Sequence, residues 1–180
     1  MEKGLQIDVV YIDFSKAFDR VIIGLLLEKL VALGFHSSIL LWIQSYLSDR
    51  IQAVQIGKFK SHQFKATSGV PQGSHLGPIL FILIINDLPL LFKPGQVLMH
   101  ADDVKLYANI KSSLDSFRLQ SDINVFIEWC SKNGFSLNAS KCSIMSFYRC
   151  KNPIISQYYL SDLVLLKVLL VKDLGILLDS

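Results

Sequence analysis

Two adjacent carboxylates, Asp102 and Asp103, interrupt an otherwise apolar stretch of this chain. Val97–Ala101 before them and Val104–Ala108 after them predict a β-hairpin with the aspartates at its turn, where Asn-Gly or Asp-Gly would be usual. Two like charges about 4 Å apart repel by roughly 4 kcal/mol at an effective dielectric constant of 20. A divalent cation would remove this cost, and Mg²⁺ prefers carboxylate oxygens. The alternative is an acidic turn whose carboxylates point into water.

A third carboxylate, Asp13, directly follows Val9–Ile12, a β-branched and aromatic segment that predicts a strand. A strand-end carboxylate beside the hairpin pair would supply three ligands from two neighbouring strands. That arrangement suits a two-metal phosphoryl-transfer site, in which one ion activates the attacking hydroxyl and the other steadies the leaving pyrophosphate. Taken alone, Asp13 could equally be the N-cap of the segment that follows it.

A loop with two glycines and a proline, residues 68–74, precedes a helix predicted over Ser74–Leu88. Glycine lets the backbone approach a ligand closely, and a helix N-terminus favours an anion such as phosphate. The loop alone is weak evidence, because such loops are common. The helix is apolar on nearly every side, so we expect it to be buried.

The remaining segments alternate irregularly between helix and strand, which favours an α+β fold over a doubly wound α/β fold. Helices are predicted over Leu25–Leu33, from a cap at Ser37 to Leu47, and around Leu119, Ile123, Phe126 and Cys130, with Gly34 and Gly134 ending the first and last. Strands are predicted over Ile51–Ile56 and Gln63–Thr67 around a turn at Gly57–Ser61, and over Ser143–Tyr148, Leu163–Val171 and Leu174–Leu178.

The composition is that of a folded domain: of 180 residues, 51% are apolar and 18% are charged, which excludes a disordered chain. The net charge of +3 is too small to indicate a nucleic-acid partner by itself. Three cysteines without C-x-x-C spacing argue against a disulfide framework or a zinc site. The start of the chain has no apolar signal region, and its apolar runs are shorter than the ~20 residues that span a bilayer. We therefore expect an intracellular protein with no membrane partner.

Together, these segments resemble the reverse transcriptases of non-LTR (LINE-type) retrotransposons. The resemblance lies in VYIDFSKAFD at 10–19 (motif A), WIQSYLSDR at 42–50, GVPQGSHLGP at 69–78 with INDLP at 85–89 (motif B), HADD at 100–103 (motif C), LNASK at 137–141 (motif D) and LGILLD at 174–179 (motif E). The motifs follow the family's order over nearly the whole chain.

The resemblance implies an α+β polymerase palm with a small antiparallel sheet backed by helices, part of the fingers and no thumb. Residues 1–180 would then be a reverse transcriptase palm with motifs A to E, truncated at both ends and belonging to a larger retrotransposon polyprotein. The implied reaction is RNA-directed DNA polymerisation: a primer 3′-OH attacks the α-phosphorus of a dNTP and releases pyrophosphate. The implied partners are an RNA template, a DNA primer and a dNTP, and the implied location is the nucleus.

The resemblance also implies roles for individual residues. Asp13, Asp102 and Asp103, with the Phe14 carbonyl, would hold two Mg²⁺ ions, for which Mn²⁺ is an alternative. Phe18 falls at the sugar-gate position, where its ring would exclude a ribose 2′-OH. It could at the same time be a core aromatic.

Further positions are implied around the nucleotide and the template. Gln72 and Gly73 would border the incoming nucleotide and the template base. Lys141 is a candidate general acid for the pyrophosphate, or an ordinary solvated lysine. From residue 50 to residue 86 the chain has four basic residues and no acid, so this stretch could contact nucleic-acid phosphates or form solvated strand faces. The four are Arg50, Lys58, Lys60 and Lys65.

The chain departs from the family pattern at two positions near the carboxylates: His100 replaces the usual Tyr or Phe, and Cys142 stands where Thr is common. Two other functions are considered. An RNA-dependent RNA polymerase would commonly place an Asp where this chain has Phe18. A non-catalytic nucleic-acid-binding remnant would keep the palm but could not extend a primer without fingers and thumb.

Overall fold

The computed structural model describes residues 5–93 and 96–179. Its helices are α1 (Ile23–Ala32), α2 (Ser37–Leu47), α3 (Leu76–Ile85) and α4 (Ser113–Lys132), with short 3₁₀ helices at Ala17–Arg20 and Leu88–Leu91. Its strands are β1 (Gln6–Ile12), β2 (Ile51–Gln52), β3 (Gln55–Ile56), β4 (Phe59–Lys60), β5 (Phe64–Lys65), β6 (Val97–His100), β7 (Asp103–Asn109), β8 (Ser143–Tyr148), β9 (Tyr159–Leu160), β10 (Leu163–Val164), β11 (Leu166–Lys167), β12 (Leu170–Asp173) and β13 (Ile176–Asp179).

The described residues divide into two compact units. Unit 1 combines the residues up to Ser15 with those from Asp87 onward, and unit 2 is Lys16–Asn86. The mixture of helices with small sheets confirms the α+β prediction. No helix in the described part of the chain is both long and apolar enough to cross a membrane.

A five-stranded sheet, in the order β11-β8-β1-β7-β6, forms the framework of unit 1. The sheet is antiparallel except where β11 runs parallel to β8. β1 is a central strand, and its residues are buried at every second position: Gln6, Asp8, Val10 and Ile12. Since successive side chains of a strand point to opposite faces, one face of β1 belongs to the core and the other is open.

Helix α4 packs against β7 and covers the core face. The residues that predicted this helix by their spacing, Leu119, Ile123, Phe126 and Cys130, are all buried. A capping box begins the helix, since the Ser112 and Asp115 side chains each bond to the other's backbone N–H. Gly134 follows the last turn with φ 73°, the left-handed conformation typical of a residue that ends a helix.

A buried polar cluster ties the segment after β8 to β1. The Asp8 side chain, on a residue only 1% exposed, accepts a hydrogen bond from the Tyr158 hydroxyl at 2.7 Å and another from the Gln6 amide at 3.0 Å. The Gln6 amide also donates to the Ile154 carbonyl, and its oxygen accepts from the Ile154 N–H. The pKa of Tyr158 is raised, first by burial, so its hydroxyl stays a donor. These bonds satisfy groups that would be costly to bury unpaired.

Unit 2 contains the α-helices α1, α2 and α3, and α1 packs against both of the others. The structure corrects two predictions here. The N-cap of α2 is His36, whose Nδ1 accepts from the Ser38 N–H, rather than Ser37. Helix α3 ends at Ile85 and is not buried on all sides, because Ile79 and Ile82 are about half exposed (52% and 50%).

Two predicted strand regions are more broken than the sequence suggested. The region around residues 51–67 forms two separate ribbons, β2 with β5 and β3 with β4, and the turn between β3 and β4 contains only Gly57 and Lys58. The long strand expected over Leu163–Val171 is divided among β10, β11 and the start of β12. Apolar runs alone do not reveal where such a strand breaks.

The loop at residues 68–70 lies against the backbone of residues 18–21. The Gly69 N–H donates to Val21 O and the Val70 N–H to Phe18 O, both at 2.8 Å. Gly69 has φ +82°, and a Cβ at this position would lie 2.8 Å from the Asp19 Cα and carbonyl oxygen. Only glycine therefore fits this close approach.

We predict that Gly69→Ala lowers the thermal midpoint of unfolding far more than Gly73→Ala. Gly73 has a similar φ of +79°, yet a Cβ added there would meet nothing within 4 Å. Gly73→Ala therefore measures only the free energy of placing alanine in the left-handed conformation, about 1–2 kcal/mol. Gly69→Ala adds a clash with backbone that cannot move aside. Thermal denaturation followed by circular dichroism measures both variants, and equal midpoints would contradict the close approach.

Candidate active site

The β6–β7 hairpin separates the two adjacent aspartates. Its turn residues are Ala101, with φ 52°, and Asp102, whereas Asp103 is the first residue of β7 and pairs with His100. The sequence prediction of a hairpin is confirmed, but its turn is one residue earlier than expected. Asp102 and Asp103 are both exposed.

The antiparallel register brings Asp13 to Asp103. β1 and β7 are paired as far as Ile12 with Val104, so the next step along this register places Asp13 opposite Asp103. Ile12 and Val104 are buried on the core face, and side chains alternate along a strand. Asp13 and Asp103 are therefore neighbours on the open face, and both line one cleft of about 240 Å³. Asp102 is not among the residues that line it.

Lys141 reaches the same cleft because the segment that precedes it is bonded to the backbone beside Asp13. The Asn138 N–H donates to the Asp13 carbonyl at 2.8 Å, and the Lys141 and Cys142 N–H groups donate to Asn138 O. The Lys141 Nζ then lies 3.8 Å from the Asp13 Oδ2, and its side chain is 67% exposed. This is a long ion pair at the edge of the cleft.

The backbone also directs the Phe14 carbonyl toward the cleft side of β1. Asp13 C=O and Ser15 N–H both bond to the segment at residues 136–138, on the side of β1 where β8 lies. Phe14 lies between these two residues, and in an antiparallel pair such a residue points its own C=O to the opposite side of the strand. For Phe14 this is the side on which β7 and Asp103 lie. The Phe14 ring packs in the core, 5.2 Å from that of Phe135 and 5.9 Å from that of Phe126.

This donor set fits a hard divalent cation that keeps part of its coordination shell for water and substrate. Two carboxylates on adjacent strands and a carbonyl directed to the same side are the oxygen ligands that Mg²⁺ takes. Within residues 5–93 and 96–179, no three His, Cys, Asp or Glu side chains are already arranged as a metal cluster. The structure therefore brings two of the three predicted carboxylates together and leaves Asp102 at the hairpin tip.

Sequence reasoning missed an ion pair in the same cleft. The Lys105 Nζ lies 2.5 and 2.6 Å from the two carboxylate oxygens of Asp173, and the side chains are only 13% and 20% exposed. The Lys105 Nζ also lies 5.9 Å from the centre of the Tyr11 ring. Burial, and then the charge of Asp173, raise the pKa of Tyr11. The position of Lys105 two residues after Asp103 was a usable signal, whereas nothing in the sequence pointed to Asp173.

Cys142, at a departure from the family pattern, is buried against Asp13. Its Sγ accepts from the Asp13 N–H at 3.4 Å. Burial raises the pKa of the Cys142 thiol, and it raises that of Cys130 to about 12. Both groups are therefore protonated at neutral pH and serve as small packing residues.

The predicted nucleotide-binding residues belong to unit 2. The Phe18 ring stacks on that of Phe81 with 4.5 Å between centroids. The Gln72 amide is exposed and donates to the Asp19 carboxylate at 2.9 Å. A Cβ added to the next residue, Gly73, would meet nothing within 4 Å. Phe18 and Gln72 are thus held by neighbours within their own unit.

The four predicted nucleic-acid-binding residues have different environments in unit 2. The Arg50 guanidinium donates to the carbonyls of residues 47, 68 and 69 at 3.0, 2.7 and 2.5 Å, which holds the loop before α3. Lys65 pairs with Asp49 at 2.7 Å on the surface. Lys58 lies in the turn of the β3–β4 ribbon, 5.7 Å from the Phe59 ring centre, and Lys60 is exposed on β4.

Comparison with known proteins places these features in a family. The model of the reverse transcriptase (RNA-dependent DNA polymerase) family matches residues 3–176. The RNA-directed DNA polymerase from the mobile element jockey of Drosophila melanogaster is 32% identical over 145 residues, which are 76% of this chain and 16% of that protein. The probable RNA-directed DNA polymerase from transposon BS, also of Drosophila melanogaster, is 30% identical over 96% of this chain and 20% of that protein.

Solved structures agree on the fold. Telomerase from Candida albicans, in complex with a fragment of telomeric RNA, superposes with a TM-score of 0.60 at 15% identity, covering 86% of this chain and 30% of that one. Apo telomerase from Candida tropicalis, truncated from its C-terminal domain, gives 0.62 at 15% identity, covering 99% and 36%. The chain spans a fifth or less of the length of the two Drosophila relatives. Because the family model matches almost all of its length, this chain belongs to the reverse transcriptase (RNA-dependent DNA polymerase) family.

Proposed function

We propose that this chain is the palm of an RNA-directed DNA polymerase, with part of the fingers, and that it transfers nucleotides from dNTPs to a primer 3′-OH on an RNA template. The observation that carries the proposal is the register of β1 and β7, which sets Asp13 and Asp103 side by side on the open face of an antiparallel sheet. Two carboxylates so close repel each other, and a bound cation relieves that repulsion.

Reverse transcriptases generally use divalent metal ions, and we propose that Asp13, Asp102, Asp103 and the Phe14 carbonyl hold two Mg²⁺ in this chain. When bound, such ions favour ionisation of the primer hydroxyl and neutralise charge on the leaving pyrophosphate. Asp13 is fixed by its backbone bonds, while Asp102 lies in the hairpin turn. Asp102, which precedes Asp103 in that hairpin, is proposed to complete the site.

Lys141 is proposed as the group that donates a proton to the pyrophosphate. Its ammonium lies at the edge of the cleft, and its long contact with Asp13 can be given up without loss of a buried bond. As their motif positions imply, Phe18 is proposed to exclude a ribose 2′-OH, and Gln72 and Gly73 are proposed to border the incoming nucleotide and the template base. The stack of Phe18 on Phe81 supports this role, because a steric filter needs a ring that is packed in place.

RNA is the proposed template because the curated relatives are RNA-directed polymerases. The β3–β4 ribbon supplies a suitable surface, with Lys58 and Lys60 beside Phe59, whose side chain is largely exposed (72%). Lysines neutralise phosphates and an exposed ring can stack on a base. A nuclear location and a place within a larger polyprotein remain predictions from the family.

We predict that Asp102→Asn combined with Asp103→Asn reduces primer extension to background. The assay uses the 180-residue chain, a primed RNA template and Mg²⁺ or Mn²⁺, with dNTPs and rNTPs compared. Both substitutions keep the size of the side chain while removing the charge that attracts the cations. The matched control is Asp162→Asn, an exposed aspartate in the β9–β10 turn, which should leave extension unchanged.

Two outcomes of this assay would count against the proposal. Extension that survives in the double variant would mean that these carboxylates are not the metal site. RNA binding that weakens with salt but ignores Mg²⁺, with no extension by any variant, would instead favour a non-catalytic nucleic-acid-binding remnant.

We predict that Lys58→Ala with Lys60→Ala weakens binding to single-stranded RNA and makes it less sensitive to salt. Each phosphate contact to a single strand contributes about 0.7 to the slope of log K against log salt, so the slope should fall by about 1.4. Fluorescence anisotropy at several salt concentrations measures this slope. Lys111→Ala with Lys167→Ala removes the same charge elsewhere and serves as the control, and equal slopes for the two pairs would contradict a role for the ribbon.

A further inference from the structure

The Lys105–Asp173 ion pair lines the same cleft as Asp13 and Asp103. A positive charge so close to a cation site would oppose cation binding unless it is neutralised. Lys105 is two residues after Asp103 on the same strand, so the two side chains leave the same face of the sheet. Residues two apart on a strand are about 7 Å apart, and a lysine side chain can span that distance. An unpaired Lys105 could therefore place its ammonium on the Asp103 carboxylate.

Asp173 instead holds the ammonium in an ion pair of its own. Both carboxylate oxygens of Asp173 lie within 2.6 Å of the Lys105 Nζ, and the exposed fractions of the side chains, 13% and 20%, limit screening by water. Asp173 ends strand β12, whose hairpin partner is β13. Residues 171–174 of this hairpin line the same cleft as Asp13 and Asp103.

We propose that Asp173 is a positioning residue that keeps the positive charge of Lys105 away from the Asp13–Asp103 cation site. Lys105 and Asp173 together are neutral, so the intact pair adds no net positive charge to a cleft in which Lys141 already lies 3.8 Å from the Asp13 carboxylate. This inference rests on the proposed function, because it assumes that Asp13 and Asp103 bind a divalent cation.

The charges predict an order of cation affinities that a purely structural role would not produce. Asp173→Asn leaves Lys105 unpaired beside the site, so affinity should fall, by about three- to tenfold for a partly exposed charge. Lys105→Met leaves the Asp173 charge unpaired, so affinity should stay equal or rise. Lys105→Met combined with Asp173→Asn removes both charges and should restore an affinity close to wild type. A role in folding alone would weaken all three variants together.

The experiment is a titration of the full chain with Mn²⁺, with free ion measured by electron paramagnetic resonance and no substrate present. Lys167→Met, at an exposed position on β11, is the control for loss of a lysine. Thermal denaturation of each variant shows that the titrated protein is folded. Hydrogen exchange over residues 170–179 should quicken in all three variants, since each loses the tie between hairpin and sheet.

The possible results separate this inference from the proposed function. Restored affinity in the double variant, with loss in Asp173→Asn alone, supports the positioning role. Equal affinities in wild type and Asp173→Asn, or a double variant as weak as Asp173→Asn, would overturn it. If wild type binds no Mn²⁺, or if binding survives Asp13→Asn with Asp103→Asn, the proposed cation site itself is wrong and this inference falls with it.

Discussion

The pairing of β1 on both of its edges is the constraint on which the rest of the structure depends. β7 bonds to one edge and β8 to the other, both antiparallel. Because side chains alternate along a strand, this fixed register decides at once which residues enter the core and which face the cleft. A slip of one residue would exchange the two sets, so that Asp13 would be buried and Ile12 exposed.

Much of this arrangement could be predicted from short-range patterns. The β-branched and aromatic residues of Val9–Ile12, the apolar runs around the Asp102–Asp103 pair and the helical spacing before Gly134 each identify one element from its own residues. The fold class and the family follow from these motifs and their order. What the patterns missed was local detail: the hairpin turn starts one residue earlier than expected, and α2 is capped by His36 instead of Ser37.

The features that sequence reasoning could not find depend on residues far apart in the chain. Lys105 and Asp173 are 68 positions apart, and no periodicity links them. The apolar run at residues 163–171 gave no sign that it would break into short strands, because its pieces pair with different neighbours. The need for glycine at position 69 also depends on a distant segment. The sequence around Gly69 predicts a turn, but only the fold shows that the backbone of Asp19 lies where a side chain at position 69 would go.

The buried cluster around Asp8 has a consequence for synthesis on the ribosome. Asp8 and Tyr158 are 150 positions apart, and a ribosome adds roughly 5–20 residues per second. About 8–30 s therefore pass before the Tyr158 hydroxyl that bonds to Asp8 has been made, whereas β7 and α4, which lie nearer in the chain, are synthesised earlier. Until then, the buried Asp8 carboxylate lacks the hydrogen bond that the Tyr158 hydroxyl supplies in the folded protein.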